Sequence, residues 1–207
     1  MIKPIELFSR TVALVFLVLI GSTDLRAAAA GTPSEIVESF QATLIQVMKE
    51  AEKLGVKQRF DRLAPSIEKA FHLPLMAQIA TGNYWKTATP SDRVQLVSAF
   101  RRMSISTLAT LTDTYNGEVF TLLAEKPGPQ NTLLVMTKLT KADNSTIDIA
   151  YVARKFEDGW RMIDVVVDNG ISELKVRRSE YAQVLKTDGV PGLIKLLNGK
   201  ADELISQ

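Results

Sequence analysis

The first half of the chain beyond residue 30 has the apolar periodicity of amphipathic helices. Ile36, Phe40, Leu44 and Val47 recur every three or four positions, so their side chains share one helix face. The segment 32–35, Thr-Pro-Ser-Glu, precedes this run and combines a threonine cap, a proline at the first helical position and the glutamate of a capping box. The pattern predicts a helix that packs its apolar face on a core.

The same periodicity predicts further helices at about 57–70, 73–80 and 90–114. A second Thr-Pro cap at residues 89–90 begins the longest of them. The apolar face of this helix includes Phe100, Leu108 and Leu111. A Tyr-Asn-Gly turn at 115–117 ends the helical half.

Alternation of apolar and polar residues replaces the helical pattern after residue 117. It predicts four strands at 118–125, 132–141, 146–156 and 160–168, joined by short polar turns that indicate an antiparallel meander. A C-terminal helical region is predicted from Ile171 onwards. Helices followed by strands, without β-α-β alternation, indicate an α+β fold.

Three of the predicted strands present one strongly apolar face, which helices are expected to cover. The members of this face include Val135, Ile147, Ile149, Tyr151, Ile163, Val165 and Val167. The opposite face is only half polar, and a strand that is apolar on both faces must be covered on both or must line a cavity. The sequence therefore favours a protein that encloses a ligand over a catalyst.

The first thirty residues have the pattern of a secretory signal peptide. Lys3 and Arg10 supply positive charge, 11–20 is apolar, and 27–30 consists of small residues suited to cleavage. The apolar run is shorter than the roughly twenty residues that span a bilayer. We therefore expect a signal peptide at 1–30 and a single domain at 31–207. Because the exported chain has no cysteine for disulfides, the periplasm is a better fit than the extracellular space.

Composition excludes several kinds of site. The chain has no cysteine, so we expect neither disulfides nor thiolate metal sites. His72 is the single histidine, which rules out a paired-histidine metal site or a histidine dyad within one chain. The net charge of +2 gives no sign of nucleic-acid binding. No metal and no cofactor are expected.

Asp164 is an acid for which the sequence allows two roles. As a carboxylate in an apolar strand, it can be the general base of a lyase or isomerase with a cone-shaped α+β fold. Alternation instead turns it away from Ile163 and Val165, where it is expected to pair with an arginine. The candidate partners are Arg154, Arg161 and Arg178. We favour this structural role.

Several motifs, in the same order and spacing, resemble the periplasmic phospholipid-carrier family MlaC, also called the toluene-tolerance auxiliary family. They are Gly-Asn-Tyr-Trp-Lys-Thr-Ala-Thr-Pro at 82–90, Phe-Arg-Arg at 100–102, the strand 159–167, Gly-Ile-Ser at 170–172 and Arg-Ser-Glu-Tyr at 178–181. The similarity covers about 33–197. His72 and Arg177 depart from the common pattern, as in the branch associated with hopanoid biosynthesis, HpnM.

The resemblance implies a twisted sheet, a deep apolar pocket under helices and non-enzymatic carriage of a phospholipid or hopanoid. It also implies exchange with transport complexes of the inner and outer membranes, and hence a part in outer-membrane lipid asymmetry. We expect a monomer. The predicted lipid-binding residues are Tyr84, Trp85, Phe100, Leu108, Leu111, Val135, Ile147, Ile149, Tyr151, Ile163, Val165 and Val167. The alternatives are the Asp164 lyase or isomerase and a periplasmic adaptor with a filled core.

Overall fold

Two threonine caps begin the long helices of the first half in the computed structural model, which describes residues 31–168 and 170–206. The Oγ1 of Thr32 accepts a hydrogen bond from the amide of Glu35 at 3.2 Å, and the Glu35 carboxylate accepts one from the amide of Thr32 at 2.8 Å. Thr89 caps in the same way through the amide of Asp92 at 3.1 Å. Both predicted caps are confirmed.

The helical half contains five α-helices in chain order. They are α1 (Pro33–Lys49), α2 (Val56–Ala70), α3 (Leu73–Thr81), α4 (Asn83–Thr87) and α5 (Pro90–Leu111). His72 caps α3, because its Nδ1 accepts a hydrogen bond from the amide of Leu75 at 3.1 Å. The imidazole also stacks on the Phe156 ring, with centroids 4.2 Å apart, which is a structural role for the only histidine.

The strands form one antiparallel sheet in the order β1-β2-β3-β4-β5, which confirms the meander. The strands are β1 (Val119–Pro127), β2 (Thr132–Thr140), β3 (Thr146–Phe156), β4 (Gly159–Val167) and β5 (Ile171–Ser172). The two residues of β5 were expected to open a helix and instead pair with Val167 and Val166. Gly170, at φ 87°, lets the chain turn back for this pairing.

A β-bulge in β4 corrects the predicted alternation of side chains. Asp164 lies opposite Val152, whereas Met162 lies opposite the next residue, Ala153, so Ile163 is the extra residue. Met162 therefore joins the core cluster, with only 1% of its surface exposed. The prediction that Ile163 continues the face of Val165 and Val167 was wrong, because period two does not continue through a bulge.

The C-terminal helical region, α6 (Glu173–Ile205), is divided by a kink. Gly189 has φ 65° and ψ −164°, which no helix contains, and Pro191 follows two residues later. The preceding and following segments are both helical, and the element packs against α5 and α3. The expected C-terminal helices are thus present as two segments of one kinked element.

The core lies between the sheet and the helices that cover it. It joins buried residues of both halves of the chain, among them Leu63, Leu96 and Ile105 from helices and Val135 from the sheet. Across residues 31–168 and 170–206, no helix combines the length and the apolar character needed to cross a membrane.

Candidate functional site

A cavity of about 420 Å³ lies between the inner face of the sheet and the covering helices. Seven of the twelve predicted lipid-binding residues line it. They are Phe100, Leu108 and Leu111 from α5 and Ile149, Tyr151, Val165 and Val167 from the sheet. Leu111 is 69% exposed, so the wall reaches the protein surface at this point.

The other five predicted residues lie outside this wall. Val135 is completely buried in the core, and Ile147 packs against that core from a half-buried position. Ile163 is buried at the bulge of β4. Trp85 packs against the core and lies under the guanidinium of Arg93, 5.6 Å from its ring centre, while Tyr84 is 38% exposed on α4.

Sequence reasoning missed the contribution of the first three helices to the wall. These apolar side chains are Phe40 and Leu44 of α1, Ile67 of α2, Leu73 and Met76 of α3, and Phe71 between the last two helices. Phe40 and Leu44 belong to the predicted apolar face of the first helix. Periodicity identifies such a face but does not say which of its members border empty space.

A buried polar network supports the sheet side of the cavity. The Nε2 of Gln41 donates hydrogen bonds to the Tyr151 hydroxyl at 3.2 Å and to Thr137 Oγ1 at 3.1 Å. Thr137 Oγ1 in turn donates to the carbonyl of Ile149 at 3.1 Å. Burial raises the pKa of Tyr151 to about 12, although the hydrogen bond from Gln41 opposes this shift. Tyr151 is therefore neutral at physiological pH.

Asp164 does not line the cavity and has a structural position. Its Oδ1 accepts hydrogen bonds from the amides of Val165 at 2.8 Å and Leu174 at 3.1 Å, and its Oδ2 accepts one from the Ser172 hydroxyl at 2.6 Å. The expected ion pair with an arginine is absent among the described residues, and Arg161 pairs with Asp158 instead. Asp164 thus holds the start of α6 against β4.

The polar members of the cavity wall come from α5 and α6, apart from Tyr151. They are Ser104, Thr107, Glu173 and Arg177. Thr107 donates its hydroxyl to the carbonyl of Met103 at 2.9 Å, which satisfies it within its own helix. Glu173 and Arg177 are therefore the two charged groups on an otherwise apolar or neutral wall.

A second, more open cavity of about 560 Å³ lies between α1 and β1. Its wall mixes apolar residues with Glu38, Lys49 and Glu118, and the Lys49 ammonium lies 5.1 Å from the centre of the Tyr115 ring. Phe120 contributes to both cavities and lies between them. The charges make this second cavity a poorer environment for a purely apolar ligand.

Within residues 31–168 and 170–206, no three or more His, Asp or Glu side chains are grouped so that they could hold a metal ion. The 420 Å³ cavity can exclude water from an apolar ligand, and its wall carries two charged groups.

Comparison with known proteins identifies a family and a similar solved structure. The family model for MlaC protein matches residues 38–199. A solved structure of the phospholipid-binding protein from Ralstonia solanacearum, in complex with a phospholipid, is similar with a TM-score of 0.68 and 19% sequence identity. That match covers 83% of this chain and 95% of the other, and it shows a shared fold. The chain belongs to the MlaC family.

Proposed function

We propose that this protein is a non-enzymatic lipid carrier that holds the apolar part of a phospholipid or hopanoid in the 420 Å³ cavity. The observation that carries the proposal is the composition of the wall, which is apolar apart from two charged and three hydroxyl-bearing side chains. Membership of the MlaC family and the phospholipid in the Ralstonia solanacearum protein support it.

The energetics of burial favour this role. Each methylene group moved from water to an apolar wall contributes about 0.8 kcal/mol, so an acyl chain is a strongly bound ligand. A volume of 420 Å³ lies within the range of about 300–1,000 Å³ that is typical of ligand pockets, so the cavity has room for the apolar part of a ligand.

The wider role is also part of the proposal. The N-terminal pattern at 1–30, which lies outside the described residues, supports export to the periplasm and removal of this segment. We propose a monomer that exchanges its ligand with transport complexes of the inner and outer membranes. His72 and Arg177 differ from the residues common in the family, as in its hopanoid-associated branch, so a hopanoid is also a candidate ligand.

The rival lyase or isomerase mechanism depends on Asp164 in the cavity. That carboxylate instead accepts hydrogen bonds from Ser172 and two backbone amides, away from the wall. A proton-abstracting base must lie within hydrogen-bonding reach of its substrate. A binding role therefore fits the geometry better than an acid–base role for this residue.

The proposal is tested by obstructing the cavity. Delipidated protein is mixed with phospholipid or hopanoid vesicles and then examined by native mass spectrometry. Wild type is expected to take up lipid. Val165→Trp is expected to lower uptake at least about tenfold, because the indole occupies part of the cavity that Val165 lines. Val166→Trp, on the opposite face of β4, is the matched control and is expected to retain uptake.

Wild-type protein that takes up neither phospholipid nor hopanoid would contradict the proposal. Equal uptake by both tryptophan variants and wild type would contradict the assignment of the cavity as the site.

A further inference from the structure

Two opposite charges lie side by side on the wall of the apolar cavity. Glu173 and Arg177 both line it and are four residues apart on α6. Four residues correspond to a rise of about 6 Å along a helix, so these side chains are neighbours on one face. Their presence is informative because charged groups are costly beside an apolar cavity unless something pairs with them.

Arg177 has hydrogen-bond donors to spare. Its side chain is only 26% exposed, and among the described residues its guanidinium makes one hydrogen bond, to Oε2 of Glu180 at 3.1 Å. A guanidinium carries five N–H donors. By contrast, the buried Arg59 donates to the backbone carbonyls of Ala109 and Leu54. The guanidinium of Arg177 is thus available to a ligand in the cavity.

Glu173 is also available to a ligand. Within residues 31–168 and 170–206, no Lys or Arg nitrogen lies within 4.0 Å of its carboxylate, although Arg177 is its neighbour on the helix. Arg177 turns instead towards Glu180, whose side chain is 51% exposed. The result is a positive and a negative group that both border the cavity and do not neutralise each other.

We propose that Glu173 and Arg177 select lipids whose headgroup combines a phosphate with an ammonium group, as in phosphatidylethanolamine. The inference rests on the proposed function and specifies its ligand. The guanidinium fork fits phosphate oxygens and binds them through charge-assisted hydrogen bonds. The carboxylate attracts the ammonium group and repels a headgroup with net negative charge.

Two other headgroup classes fit this site less well. A net anionic phospholipid matches Arg177 but brings a second negative charge close to Glu173. A neutral hopanoid alcohol offers no ionic partner to either charge, so Glu173 gains none beside the apolar wall and Arg177 keeps only its contact with Glu180. The site therefore discriminates by charge, while the apolar wall supplies most of the affinity.

The test is a competition between headgroups. Delipidated protein is incubated with vesicles of equal parts phosphatidylethanolamine, phosphatidylglycerol and a neutral hopanoid alcohol, and the bound lipids are quantified by mass spectrometry. Wild type is expected to enrich phosphatidylethanolamine about fivefold over phosphatidylglycerol, a factor typical of a partly exposed charge contact. Glu173→Gln is expected to lower this ratio to about one.

Arg177 is tested in the same mixture. Arg177→Gln is expected to lower the ratio of bound phospholipid to hopanoid about fivefold, and Arg177→Lys about twofold, because lysine keeps the charge without the fork. Lys175→Gln is the matched control, since it removes an exposed charge from the same helix outside the cavity wall. It is expected to keep the wild-type ratios.

The outcomes separate the inference from the function on which it rests. Wild type that binds no lipid rejects the carrier function itself. Wild type that binds lipid, with Glu173→Gln and Arg177→Gln both at wild-type ratios, rejects only the headgroup assignment. Displacement of lipid by millimolar glycerophosphoethanolamine would agree with recognition of the headgroup, but it would contradict the apolar wall as the main source of affinity and hence a lipid as the ligand.

Discussion

At the scale of single residues, Tyr151 connects the cavity to the core. Its ring lies on the cavity wall and packs edge-on against the Phe40 ring, with the ring centres 6.2 Å apart. Its hydroxyl accepts a hydrogen bond from Gln41. With 3% of its surface exposed, it is held away from water that would stabilise a phenolate. Burial therefore gives this residue a measurable effect on stability at high pH.

We expect Tyr151 to make the protein sensitive to alkali. Its pKa in the folded protein is about 12 against an ordinary value of 10, so above pH 10 the unfolded chain loses the proton first. Folding stability should fall between pH 10 and 12, by up to about 2–3 kcal/mol from this residue. Urea unfolding at pH 8, 10 and 11 should show a smaller loss in Tyr151→Phe than in wild type.

Tyr181 is an internal control for this experiment. Its pKa is also raised to about 12 by burial. Because Tyr181 is present in wild type and in Tyr151→Phe, the difference in stability loss between these two proteins reports on Tyr151 alone. Parallel pH profiles for wild type and Tyr151→Phe would contradict the prediction.

Individual residues also show how far the sequence could be interpreted. The caps at Thr32 and Thr89 were predictable because capping depends on neighbouring residues alone. The direction of the Ile163 side chain could not be predicted in this way, because the bulge at Ile163 depends on the register between β4 and β3. The partners of Asp164 were also missed, since the two-residue β5 that brings Ser172 to it is too short to show a pattern.

At the scale of elements, α6 is shaped by one glycine. The φ and ψ angles of Gly189, 65° and −164°, lie in a region essentially restricted to glycine. Leu193 and Leu197, after the kink, are buried in the core together with Leu185 before it. The kink therefore lets both segments of α6 cover the same core.

We expect Gly189→Ala to destabilise the protein by about 1–3 kcal/mol, because alanine is strained at these angles. Gly199→Ala is the matched control, since Gly199 is helical and a methyl group added there would meet open space. That change should stabilise the protein by about 0.5–1 kcal/mol through helix propensity. Urea unfolding measures the free energy of unfolding of both variants. A Gly189→Ala variant as stable as wild type would show that the kink tolerates a side chain.

Element types were more predictable than the site they build. Strong apolar periodicity marked α1, α5 and the four long strands, and the antiparallel order followed from short turns. The cavity wall depends on which apolar faces meet without filling the space between them. Ile67 and Met76 belong to helices predicted from the sequence, yet only the packing places them beside the cavity.

At the scale of the whole molecule, the cavity links ligand binding to stability. A ligand that binds only the folded protein, at one hundred times its dissociation constant, stabilises it by about 2.7 kcal/mol. For a domain of this size, we expect the Tm of lipid-loaded protein to exceed that of delipidated protein by about 5–10 °C. Differential scanning calorimetry measures this shift, and Val165→Trp should show little of it. Equal Tm values for loaded and delipidated wild type would contradict the expectation.

The distribution of wall residues along the chain has a kinetic consequence. The wall begins at Phe40 and ends at Arg177, and it draws on both helices and strands. Contacts between residues so distant in sequence form late, because loop-closure entropy must be overcome first. The cavity wall is complete only when these distant segments have come together. We therefore expect the newly folded protein to be empty and to bind its ligand after folding.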